Sequence, residues 1–330
     1  MSVSIEQIKA AASRLEGVAI KTPLLSSVVL DELLNAEVFI KPECLQHIGA
    51  FKFRGAYNRL VQLSSKEREA GVVAFSSGNH AQGIAFAARL LGMPATIVMP
   101  ADAPQIKLEG TKRQGATIRL YDRATESRED IAAEIARKQG ATLVPAFDDI
   151  DIIAGQGTCG LELMQQLHEK QLVPGQVLSP CGGGGLLAGV STAVKSYDSA
   201  VKVYGVEPEN YDDHFLSFQA GKRVRINPNQ ATVCDSLMAT MPGELTWSIN
   251  ANTVDGFLVA SEAEVFRAIS FAARYLKLVI EPGGAVGLAA LLAGKLDVSG
   301  SVTGLIISGG NIDPQKLQHC LEAYPEPLQS

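Results

Sequence analysis

Short apolar runs alternate along this chain with stretches whose apolar residues recur at helical spacing. Residues 72–75, 95–99, 117–120 and 142–144 read as buried strands, with helices at 79–91, 104–114 and 124–138 between them. Apolar runs without polar alternation suit a parallel sheet covered on both faces. A second series begins near Ile152, with helix 152–169, strand 176–178, helix 186–195, strand 202–206, helices 262–277 and 283–293, and strand 302–307. This βαβ order predicts an α/β fold in two open-sheet layers. Neither a repeat nor a low-complexity linker separates them, so they are expected to pack closely around a cleft, where small ligands bind.

Composition narrows the function classes. At 330 residues, 46% hydrophobic and 19% charged, the chain can bury a sizeable core. Its net charge of −6 and the lack of a Lys/Arg-rich block argue against a nucleic-acid or membrane-surface binder. No apolar run is long enough to span a bilayer, and the first residues lack the basic and apolar regions of a signal peptide. The cysteines at 44, 159, 181, 234 and 320 are odd in number and widely spaced, which fits neither a disulfide framework nor paired zinc ligands. A reduced cytoplasm is the expected location.

Four segments carry candidate chemistry. In Gly49-Ala50-Phe51-Lys52-Phe53-Arg54-Gly55-Ala56 a small-residue turn presents Lys52 at the mouth of a helix. A desolvated lysine amine can form a Schiff base with an aldehyde, although most lysines are surface charges. Ser76-Ser77-Gly78-Asn79-His80 follows a strand and opens a helix, where free N–H groups bind anions; a plain Ser/Asn cap reads the same way. Gly182, Gly183, Gly184 and Gly185 join a strand to a helix and let the backbone wrap around a phosphate. With Ala188 and Glu207 beyond it, that loop also imitates a dinucleotide fingerprint, so a nicotinamide-dependent dehydrogenase is a rival reading. A Walker-type site is excluded because no Gly-Lys-Ser/Thr follows. Finally, strand 302–307 delivers Ser308 to a Gly309-Gly310-Asn311 turn, which alone is an ordinary capped turn.

Together, in this order and with Glu281-Pro282-Gly283-Gly284 between the last two, the segments resemble the fold-type II pyridoxal-phosphate enzymes, in the serine/threonine dehydratase and serine racemase group. The resemblance covers nearly the whole chain and displaces the dehydrogenase reading. It implies a tryptophan synthase β-subunit-like architecture with pyridoxal 5'-phosphate in the interdomain cleft. Residues 1–70 and 149–330 would form the large domain and 71–148 a small mobile one. A homodimer is implied as well.

By the same resemblance Lys52 would carry the cofactor and later act as the base at Cα. Phe51 would pack on the pyridine ring, Asn79 would bond its phenolic oxygen, and Gly182, Gly183, Gly184 and Gly185 would hold the phosphate. Ser308 would bond the ring nitrogen. A neutral hydroxyl there makes a weaker electron sink than a carboxylate, which disfavours transamination and leaves β-elimination as the quicker outlet. Ser76, Ser77, Asn79 and His80 would gather the substrate carboxylate. The implied activity is an ammonia-lyase (dehydratase) acting on a 3-hydroxy amino acid, L-threonine or L-serine first. Ser77 matches the serine that protonates the opposite face in racemases, so serine racemisation and 3-hydroxyaspartate chemistry stand as alternatives, with a non-catalytic ligand-binding homologue more remote.

Glu207 and Asp213, with the Tyr211 carbonyl, match the divalent-cation site of racemase-like members, which would take magnesium or calcium. An acidic helix start is the structural alternative. One departure concerns the substrate pocket: Cys234-Asp235-Ser236 stands where familiar members have Ala-Asp-Gly. By contrast, Ala146-Phe147-Asp148-Asp149 resembles threonine dehydratases. A C-terminal regulatory domain is not expected.

Overall fold

The computed structural model describes residues 2–325 apart from Ser77, Pro104 and Asn229, with only the backbone of Ile106. The expected alternation resolves into two all-parallel sheets. The larger has the order β1-β9-β6-β7-β8, with β1 Glu37–Pro42, β6 Gln176–Pro180, β7 Lys202–Pro208, β8 Gly256–Ala260 and β9 Val302–Ile307. The smaller has the order β4-β3-β2-β5, with β2 Val72–Phe75, β3 Ala95–Pro100, β4 Thr117–Tyr121 and β5 Thr142–Leu143. No transmembrane candidate occurs among the described residues: no helix is long and apolar enough.

Helices cover both sheets. In chain order they are α1 Ile5–Leu15, α2 Val28–Leu34, α3 Lys52–Leu60, α4 Ser65–Ala70, α5 Asn79–Leu90, α6 Gln105–Arg113, α7 Arg128–Gln139, α8 Ile150–Glu169, α9 Gly185–Tyr197, α10 Asp213–Ala220, α11 Glu244–Thr253, α12 Glu262–Phe271, α13 Pro282–Leu292 and α14 Pro314–Ala323. Strands β1 and β8 were not among the expected strands. Strand β1 is buried at five of its six positions, yet it ends on Lys41 and Pro42, which reads as polar punctuation. The expected helix 262–277 is α12 followed by a wider π turn over Ala272–Leu276, stopped by Lys277 at φ +57°.

Helix α3, which begins at Lys52, is held from two sides. Phe53, Ala56 and Leu60 share a core with Val72 and Ala74 of β2, Ile97 and Met99 of β3, and Ile84 of α5. Burying Phe53, Leu60, Ile84 and Ile97 fully contributes about 1.5–3 kcal/mol each. On the other side Arg54 is completely buried. Its Nε donates to Glu43 Oε2 at 2.7 Å, and its Nη1 to Glu162 Oε1 at 2.7 Å. Lys41 Nζ donates to the second oxygen of Glu162 at 2.7 Å, and Thr22 Oγ1 to Glu43 at 2.8 Å. This closed network ties α3 to β1 and α8. Close approach of α3 and α8 needs glycine: a Cβ on Gly155 would lie 2.6 Å from the Gly55 Cα.

Candidate active site

The carboxyl ends of β2, β6 and β9 deliver their following loops to one cavity of about 210 Å³. Phe51, Lys52, Ser76, Asn79, His80, the four glycines 182–185 and Ser308 all line it. Residues predicted from four separate stretches of sequence therefore share one site. Ser77 lies outside the described residues.

Backbone pairing stitches the lysine turn to the turn after β9. Phe51 N–H donates to the Ser308 carbonyl at 3.1 Å, Gly310 N–H to Gly49 O at 2.9 Å, and Asn311 Nδ2 to Ile48 O at 2.8 Å. Lys52 Nζ donates to the Ala146 carbonyl at 2.8 Å and, among the described residues, pairs with no carboxylate. Burial then disfavours its ammonium and lowers its pKa from 10.5 to about 8. A substantial fraction is free amine near neutral pH, which is the form that attacks an aldehyde.

The glycine loop is shaped as a cradle. Gly184 sits at φ +90°, where an L-residue is strained. Thr246 Oγ1 donates to the Gly183 carbonyl at 2.8 Å and Asn250 Nδ2 to the Gly184 carbonyl at 3.3 Å. Those carbonyls face away, and none of the four N–H groups donates to a protein acceptor among the described residues. A row of free N–H groups opening α9 fits a phosphate monoester. Phe147 packs where a Gly183 side chain would stand. The residues present thus fit pyridoxal phosphate: an amine without a counter-charge, an anion cradle, and a serine at the end of a central strand.

Other partners differ from the simplest expectation. Asn79 Nδ2 donates to Glu281 Oε1, and Asn79 Oδ1 accepts from Asn311 Nδ2 at 2.8 Å. Glu281 is buried with its second oxygen unpartnered, and burial pushes it up to about 7. His80 is buried with its Nε2 3.2 Å from the Val144 carbonyl; burial, then the nearby Lys52, depresses it to about 3. A neutral imidazole gives no charge to a substrate carboxylate, so His80 can help bind an anion only as a hydrogen-bond donor. At the mouth, Lys107 of α6 pairs with Asp235, and Arg128 stacks over Phe75 at 5.3 Å; all four line the cavity. Nothing in the local sequence around Lys107 or Arg128 marked them, because only the fold brings them to the cleft. Ser236, Leu237 and Met238 also line it, so of the two departing residues Ser236 falls within the pocket wall, whereas Cys234 is buried in the core of the larger sheet.

The expected cation residues lie behind the glycine loop. Glu207 and Asp213 are fully buried, and Tyr211 is buried in the turn between β7 and α10. Glu207 accepts the N–H groups of His214 and Phe215 at 3.0 and 2.7 Å, so it also caps α10. Burial pushes Glu207 up to about 7 and raises Asp213. Both Asp213 oxygens are buried without a hydrogen-bond partner, which fits a cation there. The adjoining donors are an imidazole and a thiol, from His214 and Cys181, rather than further oxygens. Sequence reasoning missed both: Cys181 is distant in the chain, and His214, although it directly follows Asp213, lay outside the oxygen-donor set expected there.

Comparison with known proteins agrees with this geometry. The chain is similar to the L-threo-3-hydroxyaspartate ammonia-lyase of a Pseudomonas species, with 44% identity over 319 residues, 97% of this chain and 98% of that one. It is 43% identical to the L-threonine ammonia-lyase of Thermotoga maritima over 94% of this chain and 76% of that one. Maize serine racemase superposes with a TM-score of 0.91 at 36% identity, covering 98% of each chain. The sequence profile described as "Pyridoxal-phosphate dependent enzyme" matches residues 15–309, and with that span and these relatives the chain belongs to the pyridoxal-phosphate-dependent enzymes of fold type II.

Proposed function

We propose that the chain is an ammonia-lyase that converts a 3-hydroxy amino acid to a 2-oxo acid and ammonia by α,β-elimination. L-Threonine and L-serine are the substrates its motif order implies. The observation that carries the reading is Lys52, an amine with no counter-charge facing the glycine cradle across one cavity. Bound pyridoxal phosphate would supply the electron sink that makes the substrate's Cα proton removable. Lys52, lowered to about 8, has the free amine to take that proton near neutral pH. Ser76 and the N–H groups opening α5 would hold the substrate carboxylate. Departure of the β-hydroxyl as water, then hydrolysis of the released enamine, gives the products. We include a cation held at Glu207, the Tyr211 carbonyl and Asp213, with no reaction step assigned to it. In the same reading, residues 71–148 form a small domain that closes the cleft against water, and two copies form the working unit.

A second reading is favoured by Lys107 and Arg128. Two cations at the mouth suit a substrate with a second carboxylate, which points to 3-hydroxyaspartate. Each already pairs with an acidic side chain, Asp235 and Glu129, which that carboxylate would displace.

Borohydride reduction of the cofactor-loaded protein, followed by peptide mapping, is expected to leave the cofactor mass on Lys52. Lys52→Ala is expected to fold and release no 2-oxo acid. Label on another lysine, or turnover by that variant, would end the assignment.

A further inference from the structure

One short turn touches both the lysine amine and the glycine cradle. Residues 146–149 lead from β5 of the smaller sheet into α8. The Ala146 carbonyl accepts from Lys52 Nζ at 2.8 Å. Phe147 lies against the glycine loop, where a Cβ on Gly185 would come 2.9 Å from the Phe147 Cβ. Asp149 accepts the N–H groups of Asp151 and Ile152 at 2.9 and 3.0 Å and so starts α8. Asp148, between them, serves a different helix.

Helix α11 has Gly243 at its N-cap and therefore no capping side chain of its own. Asp148 supplies the cap from 96 positions away. Its Oδ2 accepts the Glu244 N–H at 3.0 Å, and its Oδ1 accepts those of Leu245 and Thr246 at 2.9 and 3.1 Å. One carboxylate thus satisfies the N–H groups that a helix start leaves free, and its charge suits the positive end of the helix. A side chain at position 243 would displace it, since a Cβ on Gly243 would overlap Asp148 Oδ1. The helix held in this way holds the cradle in turn. Thr246 Oγ1 donates to the Gly183 carbonyl at 2.8 Å and Asn250 Nδ2, one turn on, to the Gly184 carbonyl at 3.3 Å. Thr246 and Asn250 are both fully buried. A carbonyl and the following N–H point in opposite directions within one rigid trans peptide. Drawing the Gly183 and Gly184 carbonyls toward α11 therefore turns the N–H groups of Gly184 and Gly185, which line the cavity, away from it.

We propose that Asp148 is a positioning residue for the cofactor phosphate: by capping α11 it sets Thr246 and Asn250 against the glycine loop, and through them it aims the loop's N–H groups. The proposal rests on glycines 182–185 being the phosphate cradle and is independent of which amino acid is the substrate.

Equilibrium dialysis of the cofactor-free full chain against pyridoxal 5'-phosphate and against pyridoxal, which lacks only the phosphate, tests it without turnover. The ratio of the two affinities reads the cradle and cancels losses common to both ligands. Asp148→Ala is expected to lower that ratio about 10–100-fold, and Thr246→Val, a near-isosteric change, by a similar factor. The double variant is expected to lose little more than the larger single loss, because both substitutions break one chain of contacts. Should Asp148→Ala not fold, Asp148→Asn, which lacks the charge and one acceptor, is expected to lower the ratio about 3–10-fold. A wild-type ratio in Asp148→Ala, or in Asp148→Asn where the alanine variant does not fold, would overturn the proposal. So would fully additive losses in the double variant. Equal wild-type affinities for the two ligands would instead remove the cradle, and this proposal with it.

Discussion

The lowered basicity of Lys52 can be measured in the cofactor-free protein. Moving a lysine from 10.5 to about 8 corresponds to about 3 kcal/mol of preference for the neutral amine. At pH 7 the neutral fraction is then about one in ten, against about one in three thousand for an ordinary lysine, a gain of roughly 300-fold. Competitive labelling with trace acetic anhydride, read at the Lys52 peptide by mass spectrometry, reports this fraction as pH is varied. Labelling is expected to rise through a midpoint near 8 in the folded protein and near 10.5 in urea. The sign for stability follows. Between those values the unfolded chain binds the additional proton, so the cofactor-free protein gains stability as pH rises from about 8 to 10.5. Below that window the full cost of about 3 kcal/mol is present. A Lys52 midpoint that is the same folded and unfolded would refute the claim that burial without a carboxylate partner activates this amine.

Three further outcomes test separate parts of the structure. Arg54→Met leaves the buried Glu43 without its cation and is expected to cost about 3–5 kcal/mol in denaturant unfolding; a change below about 1 kcal/mol would show that the network contributes nothing to holding α3. Gly184→Ala forces a side chain to adopt φ +90° and presses on His214 and Asn250, at about 1–2 kcal/mol for the backbone and about 1–3 kcal/mol for the overlap. Its affinity for pyridoxal phosphate, followed by equilibrium dialysis, is expected to fall at least about tenfold; unaltered affinity would mean that the loop is not the cradle. Lys107→Met and Arg128→Met are expected to raise KM for 3-hydroxyaspartate about 10–100-fold while leaving that for L-threonine unchanged. Equal effects on both substrates would remove the dicarboxylate reading.

Much of this molecule could be read from the sequence because its chemistry sits in short contiguous segments. The four glycines, the Lys52 turn and the Ser308 turn each follow a strand or open a helix, and the parallel sheets bring those ends to one cleft. What sequence could not supply is partnership between residues far apart in the chain. Arg54 with Glu162, Lys107 with Asp235, and Cys181 with His214 become neighbours only in three dimensions. Asn79 could be placed at the helix start, yet its bond to Glu281, 202 positions away, could not. Strand β8, Gly256–Ala260, is an apolar run of the same kind as the strands that were expected, and its place at the sheet edge comes only from pairing with β7.

The most direct test of the central claim is 2-oxo acid release by the cofactor-loaded protein across L-threonine, L-serine, D-serine and the 3-hydroxyaspartate diastereomers. Stoichiometric 2-oxo acid and ammonia are expected from at least one of these 3-hydroxy amino acids, and their release is expected to be abolished in Lys52→Ala. Interconversion of serine enantiomers with no 2-oxo acid from any of them would contradict it.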